Sequence, residues 1–351
     1  MYRARVRGCL LGGALGDALG YPVEFSSLDR IRTTHGPRGV TGFTPGARGA
    51  VGLISDDTQM TLFTVEALIQ ACAQVREKGT GVAWPLLLRQ AYERWLETQS
   101  KPGPEEPAPP RPGMPSPGGL VTEAWLYSRR APGNACLSGV AQMYAPDPAL
   151  PLDGTPGEVN PDSKGCGTVM RSAPFGLVGR PADAAFAMAA RGAQITHGHP
   201  TGYYAAGALA AIVSHLVAGD SLEGAVLRTL RLLERHRGHT ETTAALRTAL
   251  DLAADGAPTA EKVESLGAGW VAEEALAIGV YCALVEPRAE QALPLAVNHS
   301  GDSDSTGSIC GNLVGARYGD TGLPHDWVAQ LEGRDRIAAL ADDLAAECAR
   351  G

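Results

Sequence analysis

Apolar residues in this 351-residue chain recur at helical spacing and almost never alternate, which restricts it to an all-α architecture. Val6, Leu10, Ala14 and Ala18, with Leu11, Leu15 and Leu19 beside them, predict a first helix with a wide, buried apolar face. The same periodicity predicts helices over Thr58–Lys78, Ala83–Thr98, Ala182–Ile195, Gly202–Ala218, Leu222–Arg237, Thr242–Ala254, Glu273–Leu284, Ser308–Tyr318 and Arg336–Arg350. Only Val40–Phe43 reads as a short extended piece. Between Gln99 and Leu120 the prolines are too dense for a helix, so residues 99–120 are expected to be an exposed loop insertion. Ala145–Gly167 is a second irregular stretch. Neither divides the chain, because the polar motifs lie on both sides, and one compact domain over residues 1–351 is expected.

Composition narrows the function. The 44 glycines and 25 prolines make up about a fifth of the chain, where about 12% is ordinary, and excess glycine calls for tight turns or close backbone approaches. A net charge of −8 argues against binding nucleic acid through its phosphates, leaving nucleic acid only as a modified substrate. The longest apolar stretch, Tyr203–Leu216, is broken by Ser214 and His215, so no membrane span is expected. The N-terminus has basic residues before an apolar run, as a signal peptide does, but Asp17 and the following YPVEF fit that reading poorly. Seven scattered cysteines, without a CxxC pair, suit reduced thiols of a cytoplasmic protein.

Three clusters carry chemistry. Ser55-Asp56-Asp57-Thr58 stands where a loop enters a helix. One capping residue would suffice there, and two adjacent carboxylates repel each other unless a cation lies between them. Asp302-Ser303-Asp304-Ser305 precedes the helix expected at Ser308, and its alternation in an extended turn would point both carboxylates to one side. Together the two clusters supply hard oxygen donors suited to magnesium, manganese or calcium. The third, Gly165-Cys166-Gly167-Thr168 continuing to Met170 and Arg171, is a glycine turn whose backbone can approach a ligand closely. By itself it reads equally as a connection between helices.

In this order, and with GCLLGGALGDALGYPVEF at Gly8–Phe25, GFTPGARGAVGLISDDTQM at Gly42–Met60, THGHPTG at Thr196–Gly202 and the stretch Asn298–Gly319, the clusters resemble the ADP-ribosylglycohydrolase family. The resemblance implies a compact all-helical domain with two Mg²⁺ or Mn²⁺ ions in a central cleft. It implies metal ligation by Ser55, Asp56, Asp57, Asp302, Asp304 and Ser305, with serine at two positions where members often carry threonine. Glu24, Asp57 and Asp304 fall at the catalytic positions. Gly165, Cys166, Gly167, Thr168, Met170, Arg171 and His197 fall at positions that bind the ADP-ribose, with Tyr203 or Tyr204 as the aromatic against its ADP portion. Asp17 and His199 read as structural, and His299 as a group that orients Asp302. The implied reaction is hydrolysis of the glycosidic bond at the distal ribose of a monomeric protein's ADP-ribosylated partner, with arginine as the expected attachment point. Serine-linked, nucleic-acid and small-molecule conjugates are the alternatives, as are a non-catalytic binding relative and a metal-dependent phosphohydrolase.

Overall fold

Glycines at every fourth position of the first helix, α1 (Tyr2–Gly20), meet glycines at every fourth position of α13 (Ser303–Tyr318), and this antiparallel pair is the spine of the molecule. Gly8 faces Gly315, Gly12 faces Gly311, Gly16 faces Gly307, and Gly20 faces Ser303. A Cβ on any of the seven glycines would lie less than 3.0 Å from backbone atoms of the other helix. The two backbones are therefore in direct contact, with no side chains between them. Gly13 makes room for the Asn312 amide, which donates to the Cys9 carbonyl at 2.8 Å.

The computed structural model describes residues 1–45, 49–79, 83–105 and 119–348, among which there are fifteen α-helices, short 3-10 turns and no strand. Besides the spine these are α2 (Leu28–His35), α3 (Asp56–Lys78), α4 (Trp84–Ser100), α5 (Asn134–Ala141), α6 (Ala182–Ala193), α7 (Pro200–Ala218), α8 (Leu222–Leu233), α9 (Thr240–Ala253), α10 (Ala260–Glu264), α11 (Ala272–Val285), α12 (Ala289–Val297), α14 (His325–Gln330) and α15 (Arg334–Cys348). On one flank of the spine lie α15, α3 and then α4; on the other lie α11, α12, α9, α7 and α6. The extended piece at Val40 pairs with a side chain: its N–H and C=O both bond the Asn298 amide at 2.8 Å.

Two expectations change. Helix α7 begins at Pro200, and its 19 residues are long and apolar enough to cross a membrane by length and composition. Its apolar window is 78% buried inside the protein, so it is a core helix, with Ser214 donating to the Arg180 carbonyl and His215 pairing with Asp220 at its end. The expected insertion at residues 99–120 is narrower than its prolines suggested. Gln99 still belongs to α4 and donates from the core to Gln59 at 2.8 Å; Leu120 is fully buried, its N–H on Glu66 at 2.9 Å. Residues 106–118 lie outside the described residues.

Candidate active site

The register of the glycine spine builds the site. Because α1 and α13 run antiparallel, the end of α1 meets the start of α13, and the 3-10 turn Tyr21–Val23 delivers Glu24 beside Asp302 and Asp304. One carboxylate oxygen from each of these three residues lies within 4.8 Å of the others. The start of α13 also corrects the sequence reading. The helix begins at Ser303 rather than Ser308, so Asp302 is its N-cap and Asp304 sits in its first turn instead of in an extended turn. Both acids thus face the positive end of the helix dipole.

A second helix start is brought in by Asp17. Its buried carboxylate accepts the Ser55 N–H at 3.0 Å, the Thr58 N–H at 3.1 Å and the Thr58 hydroxyl, which clamps the N-terminus of α3 to α1. The structural reading of Asp17 fits this position. Ser55 caps α3, its Oγ accepting from the Asp57 N–H at 3.2 Å, and reaches the Asp304 carboxylate from behind the cleft wall. Asp56 and Asp57 follow in the first turn and face the cleft.

That cleft encloses about 230 Å³. Glu24, Asp56, Asp57, Asp302, Asp304 and Ser305 form one wall, and among the described residues no Lys or Arg lines the cleft. Burial, and then the neighbouring Asp304, push Glu24 up to about 10 and raise Asp56, Asp57 and Asp302 well above the carboxylate range. Glu24 Oε2 and Asp57 Oδ2 are buried without a hydrogen-bond partner. Orphaned acid oxygens in a cationless pocket fit divalent cations of the hard kind, since each ion would satisfy several of them at once.

The sign of this electrostatics is testable. Glu24 ionises near 4.5 in an unfolded chain and near 10 in the fold, so above about pH 4.5 the native state holds more protons and loses stability as the pH rises. Melting temperature in EDTA should therefore fall between about pH 5 and pH 9, and excess Mg²⁺ should flatten the slope. A pH-independent melting temperature in EDTA would contradict the unpaired acid wall.

The glycine turn forms the opposite wall. The Cys166 N–H donates to the Trp270 carbonyl at 3.0 Å and the Ala272 N–H to the Lys164 carbonyl at 2.8 Å, next to a single antiparallel bridge between Gly165 and Val271. Gly165, Cys166, Gly167, Met170 and His197 line the cleft. His197 packs on the turn, where a Cβ on Gly165 would lie 3.2 Å from its Nε2. Sequence reasoning valued Cys166 only for its backbone. Its thiol donates to Asp302 Oδ2 at 2.6 Å, and burial keeps it protonated.

Three expected ligand residues lie elsewhere. Thr168 is fully buried, its hydroxyl on the Gly165 carbonyl at 3.2 Å, and it holds the turn from behind. The Arg171 guanidinium is buried over the Tyr92 ring and donates to Thr196 Oγ1. The same hydroxyl shares a hydrogen bond with His197 Nδ1 at 2.7 Å, which fixes the ring with its Nε2 beside the glycine turn. Burial, and then Arg171, lower His197 to about 3, so the ring is neutral. Arg171 thus positions His197 and does not reach the cleft. Tyr203 and Tyr204 are fully buried on α7, with hydroxyls on the Thr155 and Leu152 carbonyls, and cannot stack on a ligand. The aromatic in the cleft is Trp270, which no motif singled out. His199 caps α7 through the Thr201 N–H, a structural role as read. His299 bonds Thr306 at 2.8 Å instead of orienting Asp302.

A family model described as ADP-ribosylglycohydrolase matches residues 1–351. The ADP-ribosyl-[dinitrogen reductase] glycohydrolase of Rhodospirillum rubrum is 27% identical over 332 residues, 93% of this chain and 90% of that protein. ADP-ribosylarginine hydrolase Tri1 of Serratia proteamaculans is 23% identical, over 97% of this chain and 78% of its own. ADP-ribosylhydrolase ARH3 of Mus musculus is 26% identical, over 97% and 91%. A solved structure described as an ADP-ribosylglycohydrolase-related protein complex has the same fold, with a TM-score of 0.65 at 24% identity over 99% of each chain.

Proposed function

Because the chain belongs to the ADP-ribosylglycohydrolase family of hydrolases, we propose that it removes ADP-ribose from arginine side chains, by hydrolysing the bond between the distal ribose and the guanidinium nitrogen. The observation that carries this reading is the wall of five carboxylates, none paired with a Lys or Arg among the described residues, facing a glycine turn across one cleft. Asp56, Asp57, Asp302, Asp304 and Ser305, with Ser55 behind them, would hold two Mg²⁺ or Mn²⁺ ions, and Glu24 joins them at the edge of the set. Bound divalent cations supply Lewis acidity, lowering the pKa of a water and steadying the ribose hydroxyls. Asp57 and Asp304 orient that water and receive its proton, and Glu24 relays a proton to the departing nitrogen. The anomeric carbon–nitrogen bond breaks with its electron pair on nitrogen, the water oxygen takes its place on the carbon, and the proton from Glu24 makes the departing group a guanidinium cation. The glycine turn takes the diphosphate, with His197 Nε2 beside it.

Arginine is favoured as the attachment point by the acid wall, which suits a cationic leaving group, and by the Asp302-Ser303-Asp304-Ser305 pattern, which resembles arginine-directed members. Seven free cysteines support a cytoplasmic setting, and nothing in the cleft requires a second copy of the chain. On two peptides bearing one ADP-ribose, kcat/KM should favour the arginine conjugate at least about tenfold, roughly 1.4 kcal/mol in transition-state binding, and EDTA should abolish both activities. A tenfold preference for serine would overturn the target while leaving the family in place.

A further inference from the structure

Two large aromatic side chains stand in water at the mouth of the cleft and touch each other. Phe25 is 76% exposed and Trp270 42%, and their rings stack with centroids 5.7 Å apart and an interplanar angle of 20°. Each is attached to the acid wall. Phe25 follows Glu24 in the chain, and Trp270 follows Gly269, whose missing Cβ would lie 3.5 Å from Asp302 Cβ. The backbone at Trp270 is pinned, because Gly269 has a φ of +78° with its N–H on Glu274 at 3.1 Å, and the Trp270 carbonyl holds the Cys166 N–H. Trp270 is therefore fixed where its indole lines the cleft. Burying Phe25 elsewhere would be favourable, and the fold instead leaves it at a rim with one aromatic neighbour.

We propose that Phe25 and Trp270 receive the guanidinium of the ADP-ribosylated arginine on their ring faces, which makes them specificity-determining residues for the target side chain. This rests on the arginine reading above. Two arguments assign the pair to the departing group. In the reading above the ribose sits on the acids, so the group leaving it would pass Glu24 and Asp302, which Phe25 and Trp270 adjoin. The other rim, at Asn134, Ala135 and Ser163, continues into a separate open concavity of about 820 Å³, which has room for the nucleoside end. The chemistry agrees. A guanidinium is planar, keeps its charge when glycosylated on nitrogen, and gains from an aromatic face and a nearby carboxylate together. A serine oxygen is neutral and gains from neither.

Trp270→Ala and Phe25→Ala should lower the arginine-over-serine ratio of kcat/KM by about tenfold, mainly through KM on the arginine peptide, and Trp270→Phe should recover most of it. Equal losses on both peptides would overturn the proposal. So would a tenfold loss of affinity for free ADP-ribose, which would place the rings under the adenine. A binding measurement separates this claim from the arginine reading: a labelled peptide with an unmodified arginine, added to wild-type or Trp270→Ala protein saturated with ADP-ribose and Mg²⁺. A Kd about tenfold higher in the variant supports the aromatic pair even if the wild type cleaves no arginine conjugate. Equal Kd values overturn it even if the wild type prefers arginine.

Discussion

A Gly16→Val chain should lose more than about 4 kcal/mol of stability, enough to leave a typical domain largely unfolded. The added carbon would collide with the carbonyl of Gly307 and the amide of Ser308, which are backbone atoms of α13 with no side-chain freedom to yield. The helices would have to part, and parting them moves Asp302 and Asp304 away from Glu24. Any folded remainder should therefore also lose the metal site. A graded series makes the test specific. At Gly13 the three nearest atoms all belong to the Asn312 amide, so Gly13→Ala should cost about 1–3 kcal/mol as that buried hydrogen bond breaks. Gly103→Ala, with nothing within 4 Å, should cost nothing measurable. Thermal melts of the three variants would check the order, and a Gly16→Val protein melting with the wild type would refute direct backbone contact.

The second large effect concerns the acid wall. Asp302→Ala or Asp56→Ala should reduce kcat/KM by at least about 100-fold and remove the rise in melting temperature that Mg²⁺ gives the wild type. In EDTA the Asp302→Ala protein should melt close to the wild type, because losing the Cys166 thiol contact at 2.6 Å and a long cap contact of 3.4 Å to the Ser305 N–H is offset by removing a buried acid that raises Glu24 and Asp57. Asp17→Asn gives the contrasting pattern. Its carboxylate takes three donors from the start of α3, so its loss should lower the melting temperature with and without metal. An Asp302→Ala protein that still turns over and still responds to Mg²⁺ would refute the assignment of the metal to this wall.

The long helices were legible in the sequence because apolar periodicity reports which face is buried, and α3, α4, α6, α8 and α9 differ from the expectation only at their ends. The glycine spine was not. Counting apolar side chains registers glycine only as an excess, and the meaning of Gly8, Gly12, Gly16 and Gly20 depends on a partner helix nearly three hundred residues away. The start of α13 was misplaced for a related reason. Asp, Ser, Thr and Gly favour turns when alone, but packing against α1 and the caps override that preference over Ser303–Gly307. The acids themselves were legible as chemistry, and Glu24 through its family context. Tyr203 and Arg171 show the converse error: both lie near the right motifs in the chain, yet one ring completes the core and the guanidinium acts through Thr196. Trp270 carries no motif and Phe25 enters one only as its last residue, so it is their exposure together at the cleft that distinguishes them.

The spine also sets a timetable for synthesis. Helix α1 leaves the ribosome long before the helix whose backbone it must touch, which does not begin until Ser303. At 5–20 residues per second that wait is on the order of 15–60 s. Throughout it, α1 carries a bare glycine stripe and an apolar flank with no mate, so the nascent chain depends on chaperones or on provisional contacts to stay out of aggregates. Any truncation upstream of Ser303 leaves a chain in which most helices can form but the hydrolytic site never can.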